Sequence, residues 1–223
     1  TSKAGLVNVG GEGQFAMGAL ASTAVAILLV PNAPGIVGIP LMVLAGIIGG
    51  MVWSGIAGVL KIKANMNETI TTVILNYIAY QLVSYIVYGP LKDPDSFNWP
   101  QTAEISQSFV LPSIGGIVSI GIIVALVLSV AVWFVVKKTK WGYKLRVIGS
   151  NPVAAIHAGY NVCRTQLIAM LISGGMAGLA GMLEIAGVEM RLRQTTGVNY
   201  GYLGFLAAWM AWNNPLAGII TAF

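Results

Sequence analysis

Few side chains in this chain can do chemistry, and they fall into three groups. Glu12 stands among Asn8, Gly10, Gly11, Gly13 and Gln14 at the mouth of an apolar run. A carboxylate entering hydrocarbon is costly enough to mark a functional site by default. A second reading of Glu12 stays open, because a Glu in the first turn of a helix is stabilised by the positive end of the helix dipole. Tyr77, Gln81, Ser84 and Tyr88 recur at i, i+4, i+7 and i+11, one face of a helix. Amides and hydroxyls on such a face need protein or water, since lipid offers them no partner. Gln166, Ser173 and Glu184 share a face of a later apolar run, with Glu184 near its end, where an interfacial carboxylate costs little.

Groups of these types are expected to contact polar solutes or neighbouring backbone rather than to break bonds. His157 is the only histidine and reads as a solvated loop residue, so a His-based metal cluster is not expected. No nucleophile has a plausible His partner in the apolar runs. No GxxxxGK[ST] phosphate cradle occurs, so ATP hydrolysis by that route is not expected of this chain. The chain reads as a non-enzyme with no cofactor.

The elements that must position these residues are helices in lipid. Hydrophobic residues make up 57% of the chain and charged ones 9%, with a mean hydropathy of +0.81. Soluble domains carry about 25% charged residues, so the fold class is all-α, a polytopic transmembrane bundle. A helix needs roughly 20 apolar residues to cross the hydrocarbon. On that measure spans run near Gln14 to Val30, Ile36 to Leu60, Glu68 to Tyr88, Ile114 to Val136 and Thr165 to Leu183, with a turn at Pro31 to Gly35. Gly201 to Trp212 is apolar but short, and Asn213, Asn214 and Pro215 interrupt it before Leu216, the pattern of a discontinuous helix. Broken helices line substrate paths in many transporters. Gly174, Gly178 and Gly181 lie on one face, the small-residue spacing that lets helices approach closely.

Orientation follows from the cations. Residues 137–164 carry Lys137, Lys138, Lys140, Lys144, Arg146 and Arg164 with no acidic residue, and short loops rich in Lys and Arg stay in the cytoplasm. Lys3, Lys61 and Lys63 fall on the same side. Residues 89–113, with Asp93, Asp95 and Glu104, form an external loop. The net charge of +5 is thereby explained by topology, and nucleic acid is not an expected partner, since no basic patch carries interleaved aromatics. Cys163 is the only cysteine, which excludes an internal disulfide and fits a reduced cytoplasmic thiol.

Four stretches carry a family resemblance. Residues 149–188, GSNPVAAIHAGYNVCRTQLIAMLISGGMAGLAGMLEIAGV, resemble the cytoplasmic loop and following span of the ABC-importer permeases that serve ribose-type sugars, branched-chain amino acids and nucleosides. GLVNVGGEGQFAMGA near the start, NETITTVILNYIA followed by GPLKDPDSFNWPQT, and NNPLAGI near the end resemble the nucleoside branch. Members of that family are longer, so residues 1–223 read as one permease domain, a fragment lacking spans at both ends.

The resemblance implies roles. The stretch matching Gly149 to Arg164 docks in a groove of a cytoplasmic ATP-binding cassette subunit and carries the motion of ATP closure to the spans. Asn151 and Pro152 make a helix start there, and Gly149, Ala154, Ala155, Ala158 and Gly159 are small enough for close seating. An external binding protein delivers the substrate, and a second permease copy or a homologue completes the pair in the cell membrane. The resemblance and the polar stripe together point to a substrate cavity near Asn76, Tyr77, Tyr80 and Gln81, with Asn8, Glu12, Trp209, Asn213 and Asn214 as further candidates. Rings stack on a nucleobase, and amides pair with its edge or with ribose hydroxyls. The alternatives are a permease for ribose or another simple sugar, and an ion-coupled secondary transporter, which also uses broken helices and an intramembrane Glu.

Overall fold

The computed structural model describes residues 1–97, 99–114 and 118–222. A short 3-10 turn, Ser2–Ala4, leads through irregular backbone into α1 (Gly11–Ala24), which a π-helical turn extends over Val25–Leu29. Next come α2 (Gly35–Ala64) and α3 (Glu68–Tyr88), the latter started by Asn67, whose side chain accepts from the Thr69 and Ile70 amides. Four further helices follow: α4 (Gly121–Lys138), α5 (Lys140–Ser150), α6 (Pro152–His157) and α7 (Val162–Glu184), the last with a π-helical turn at Ile185–Glu189. The described chain closes with α8 (Tyr200–Met210) and α9 (Pro215–Ala222). Five of these helices, the first and fifth counted with their π-turns, are long and apolar enough to cross a membrane: α1, α2, α3, α4 and α7.

Glycine decides how the centre packs. On α7, Gly174 and Gly178 meet Gly50 and Gly46 of α2, while Gly18 of α1 lies against Gly178 from the other side. A Cβ added at Gly178 would stand 2.1 Å from the Gly46 carbonyl oxygen. Gly181 does the same for α1, where an added Cβ would stand 2.2 Å from the Phe15 carbonyl oxygen. Helices in lipid associate by such backbone approach rather than by hydrophobic expulsion. Ser54 Oγ pins the crossing by donating to the Met170 carbonyl at 2.7 Å. Gly178→Leu is expected to cost about 3 kcal/mol or more through overpacking. A fall in the apparent melting temperature of the purified protein, with loss of its monodisperse elution peak, is the measurement.

The fourth span begins later than its apolar run. Ser113–Ile114 pairs antiparallel with Val118–Ser119 as strands β1 and β2, and Ser119 Oγ accepts from the Gly121 amide at 3.2 Å, so the helix starts at Gly121 rather than at Ile114. Residues 115–117 of the expected span lie outside the described residues, as do Asn98 and Phe223.

Residues 89–113 form a folded cap rather than a solvated loop. Thr102 and Ile105 donate their amides to the Leu192 and Met190 carbonyls, each at 2.9 Å, and Arg191 pairs with Glu104 at 3.0 Å. Ile105 and Phe109 are buried, with the Phe109 ring filling the space over Gly38. At the opposite, basic end, α5 packs on the Ser2–Ala4 turn, and Gly149 is the contact point because a Cβ there would stand 2.5 Å from the Lys3 carbonyl oxygen.

Candidate functional site

A helix that begins inside a bundle leaves its first amides without partners. Two helices here do so side by side. α1 begins at Gly11, where Gly13 abuts the Trp53 indole near the middle of α2. α8 begins at Tyr200, after irregular backbone over residues 190–199. Non-helical backbone at such depth persists only where protein satisfies it.

For α1 the partners come from α3. Thr72 Oγ1 accepts from the Val9 amide at 3.3 Å, and Asn76 Oδ1 accepts from the Gly13 amide at 2.9 Å. The Asn76 amide group donates in turn to the Val9 carbonyl at 3.0 Å and the Tyr202 hydroxyl oxygen at 3.2 Å. For α8 the partner is Glu12. Its carboxylate accepts from the backbone amides of Asn199, Gly201 (2.7 Å) and Tyr202 (3.2 Å), and from the Tyr80 hydroxyl. Glu12 is 1% exposed. A carboxylate at a helix start also meets the positive end of the dipole. Glu12 stands in the first turn of α1 as expected, and its carboxylate meets the start of α8 as well. Gly201 makes the approach possible, since a Cβ there would lie 2.2 Å from the Glu12 nitrogen.

On the other side of α8 lies a cavity of about 740 Å³ between the start of α1, α7 and α8. Its polar lining includes Thr1, Ser2, Asn8, Gln14, Ser173, Glu184, Trp209 and Asn213, with Phe15, Tyr200 and Phe205 as ring surface. Asn8 ties the walls together: its amide donates to Gln14 Oε1 at 3.3 Å and Ser173 Oγ at 3.4 Å, and Gln14 Nε2 donates back to Asn8 Oδ1 at 3.1 Å. A second cavity of about 450 Å³, towards the basic end, shares Ser173, Ala208 and Asn213 with the first and adds Asn214, Trp141 and Leu145. Amides, hydroxyls and rings, with the one carboxylate of Glu184, around a chamber of this size suit a polar solute.

The residues singled out in the sequence are thus divided. Asn8, Trp209 and Asn213 line the larger cavity, and Asn214 lines the smaller. Glu12, Asn76 and Tyr80 meet in the network behind the start of α8. Tyr77, 67% exposed, and Gln81 point away from both, on the surface of α3. Sequence reasoning missed Tyr200, Tyr202 and Phe205, although the aromatic run YGYLGF is visible at positions 200–205. The break at Asn213–Pro215 is a reversal: Thr221 of α9 donates to the Ala207 carbonyl of α8 at 2.9 Å, and Trp212 and Asn213 adopt left-handed backbone with φ of 51° and 54°.

In the basic segment Asn151 caps α6 by accepting from the Ala154 amide at 3.0 Å, with Pro152 in the first turn. Ala155 is fully buried, while Ala154, Ala158 and Gly159 are exposed beside Val153 and Ile156, which are 63% and 61% exposed. Gly149 faces the Ser2–Ala4 turn instead.

Broken helices around a polar chamber, inside a bundle of membrane-crossing length, define an integral membrane protein of the transport type. The whole chain, residues 1–223, matches the family model described as branched-chain amino acid transport system / permease component, and the chain belongs to that family. It is 36% identical to a glucose ABC transporter permease protein of Haloferax volcanii, over 99% of this chain and 61% of that protein. It is 32% identical to a guanosine ABC transporter permease protein of Bacillus subtilis, over 99% and 64%, and 28% identical to a nucleoside ABC transporter permease protein of Lactococcus lactis, over 99% and 63%. The chain therefore spans somewhat under two thirds of the length of these relatives. No solved structure matches it.

Proposed function

We propose that this chain is the translocating part of a permease subunit of an ATP-binding cassette importer, and that its substrate is a nucleoside. The observation that carries the reading is the chamber lined by Asn8, Gln14, Ser173, Trp209 and Asn213 in a chain similar along its whole length to guanosine and nucleoside permeases. Aromatic rings offer stacking surface to a base, and amides offer donors and acceptors to base edge and ribose. The cations of residues 137–164 put that end in the cytoplasm, where α6 meets an ATPase subunit, and the folded cap receives an external binding protein. A second permease copy or a homologue completes the assembly. A sugar is the second reading, favoured by the glucose permease among the relatives.

The test is uptake by the full assembly, purified with its ATPase and binding protein and reconstituted in liposomes. Radiolabelled guanosine, uridine, ribose and glucose are compared. ATP-dependent accumulation of a nucleoside at least tenfold above that of either sugar is expected. Accumulation of sugar alone overturns the substrate assignment, and accumulation without ATP overturns the importer class.

A further inference from the structure

We propose that Glu12 is the positioning residue of the chamber: it touches no substrate, but by holding the first turn of α8 it sets where Trp209 and Asn213 stand. The inference rests on the permease reading only for its link to transport.

α8 is lightly held. None of its residues is buried, and among the described elements its substantial neighbours are α1 and α9. The contact with α1 is the Gly201–Gly11 approach, the Glu12 carboxylate and the edge-on contact of the Phe15 and Tyr200 rings, centroids 5.9 Å apart. The contact with α9 is the reversal that carries Asn213. The opposite wall is different in kind. Ser173 sits on α7 next to Gly174, in the helix locked against α2 by backbone contact. One wall of the chamber is thus fixed by glycine crossings, whereas the start of the other is held mainly by the Glu12 carboxylate, with the Asn76–Tyr202 hydrogen bond and the Phe15–Tyr200 ring contact beside it.

The chemistry of the joint is specific to a carboxylate. Three amides at the start of α8 converge on two oxygens with four lone-pair directions, and the Tyr80 hydroxyl takes a further share. A carboxamide keeps one acceptor oxygen and turns an NH₂ group towards amides that also donate, so Glu12→Gln opposes the joint while hardly changing volume. Gly201→Ala attacks the same joint from the facing side, by steric contact with the Glu12 backbone. The two substitutions share no chemistry and must share a phenotype if the joint sets the position of α8. Glu12 does not line the cavity, so its effect on substrate passes through α8.

The experiment reads the two walls separately. In the full-length permease carrying Cys163→Ser, and freed of any other cysteine, a single label site is placed on the moving wall (Asn213→Cys) or on the fixed wall (Ser173→Cys). Maleimide labelling rates are then measured with Glu12 intact, with Glu12→Gln, with Glu12→Asp and with Gly201→Ala. Glu12→Gln and Gly201→Ala are each expected to change the rate at position 213 at least fivefold, while the rate at 173 stays within twofold. Glu12→Asp, which keeps the charge, is expected to return the rate at 213 most of the way to the parent. An unchanged rate at 213, or equal changes at 213 and 173, overturns the proposal, the second because it signals general loosening. Should Glu12→Gln fail to assemble, Gly201→Ala decides alone by the same criterion. Labelling needs no substrate, so a wrong substrate assignment leaves this result standing. In uptake assays the matching signature is a KM raised at least tenfold with kcat changed less than threefold.

Discussion

Val153→Asp combined with Ile156→Asp is expected to lower ATP-driven uptake at least a hundredfold while the bundle stays folded. Both side chains are more than half exposed on α6, flanked by the exposed Ala154 and Ala158, so the substitution removes nothing from the core. A contiguous apolar face on a helix amid basic residues marks a surface that meets another protein. Two carboxylates there must be desolvated without partners when that protein seats, which costs several kcal/mol at an interface. The ATPase subunits should still hydrolyse ATP, but substrate and binding protein should no longer stimulate them. Uptake above half of the parental rate would remove α6 from the coupling path. Ala155→Arg is a different experiment, because Ala155 is fully buried and its replacement disturbs the packing of α6 on the bundle.

The second large effect is expected at Asn76. Asn76→Leu deprives the Gly13 amide and the Val9 carbonyl of their partner in a buried place and strands the Tyr202 hydroxyl. Each unsatisfied buried group costs about 1 to 3 kcal/mol, and water is not at hand to replace the amide. The sum over three groups, about 3 to 9 kcal/mol, rivals the whole stability of a typical domain. Loss of folded protein from the membrane fraction, or a steep drop in apparent melting temperature, is the expected readout. Tyr77→Leu, one residue along, should do neither, since Tyr77 is exposed. Equal damage at the two positions would refute the network as drawn.

That pair of neighbours also shows what a sequence can and cannot display. The bounds of α3 were readable to the residue, because Asn67 is a capping side chain and the apolar run has the length of a span. Its buried side was not. Periodicity grouped Tyr77, Gln81, Ser84 and Tyr88 correctly on one face, but the face turned inward is that of Thr72, Asn76, Ala79, Val83 and Val87. Which stripe is buried depends on the broken backbone at Val9 and Gly13, whose need for partners arises only once the fold exists. Glu12 was visible as an anomaly for the same reason that it matters, a charge in an apolar setting. Three of its four partners, nearly two hundred residues away, are backbone amides, and backbone leaves no trace in residue identity. The cap was hidden likewise, because its pairing with residues 190–193 consists of isolated backbone bonds, one bond to the Thr102 hydroxyl and one ion pair, with no strand-like pattern. The glycines of α7 were legible as a packing face, since only small residues permit that approach, and the structure supplies their counterparts at Gly18, Gly46 and Gly50.

The three-way glycine crossing has a mechanical corollary. Where side chains interdigitate, a helix can slide by hopping from one rotamer to the next; where carbonyl meets α-carbon there is no such gear to shift. α1, α2 and α7 therefore hold one another backbone to backbone, as a unit beside which α8, with none of its residues buried, is set.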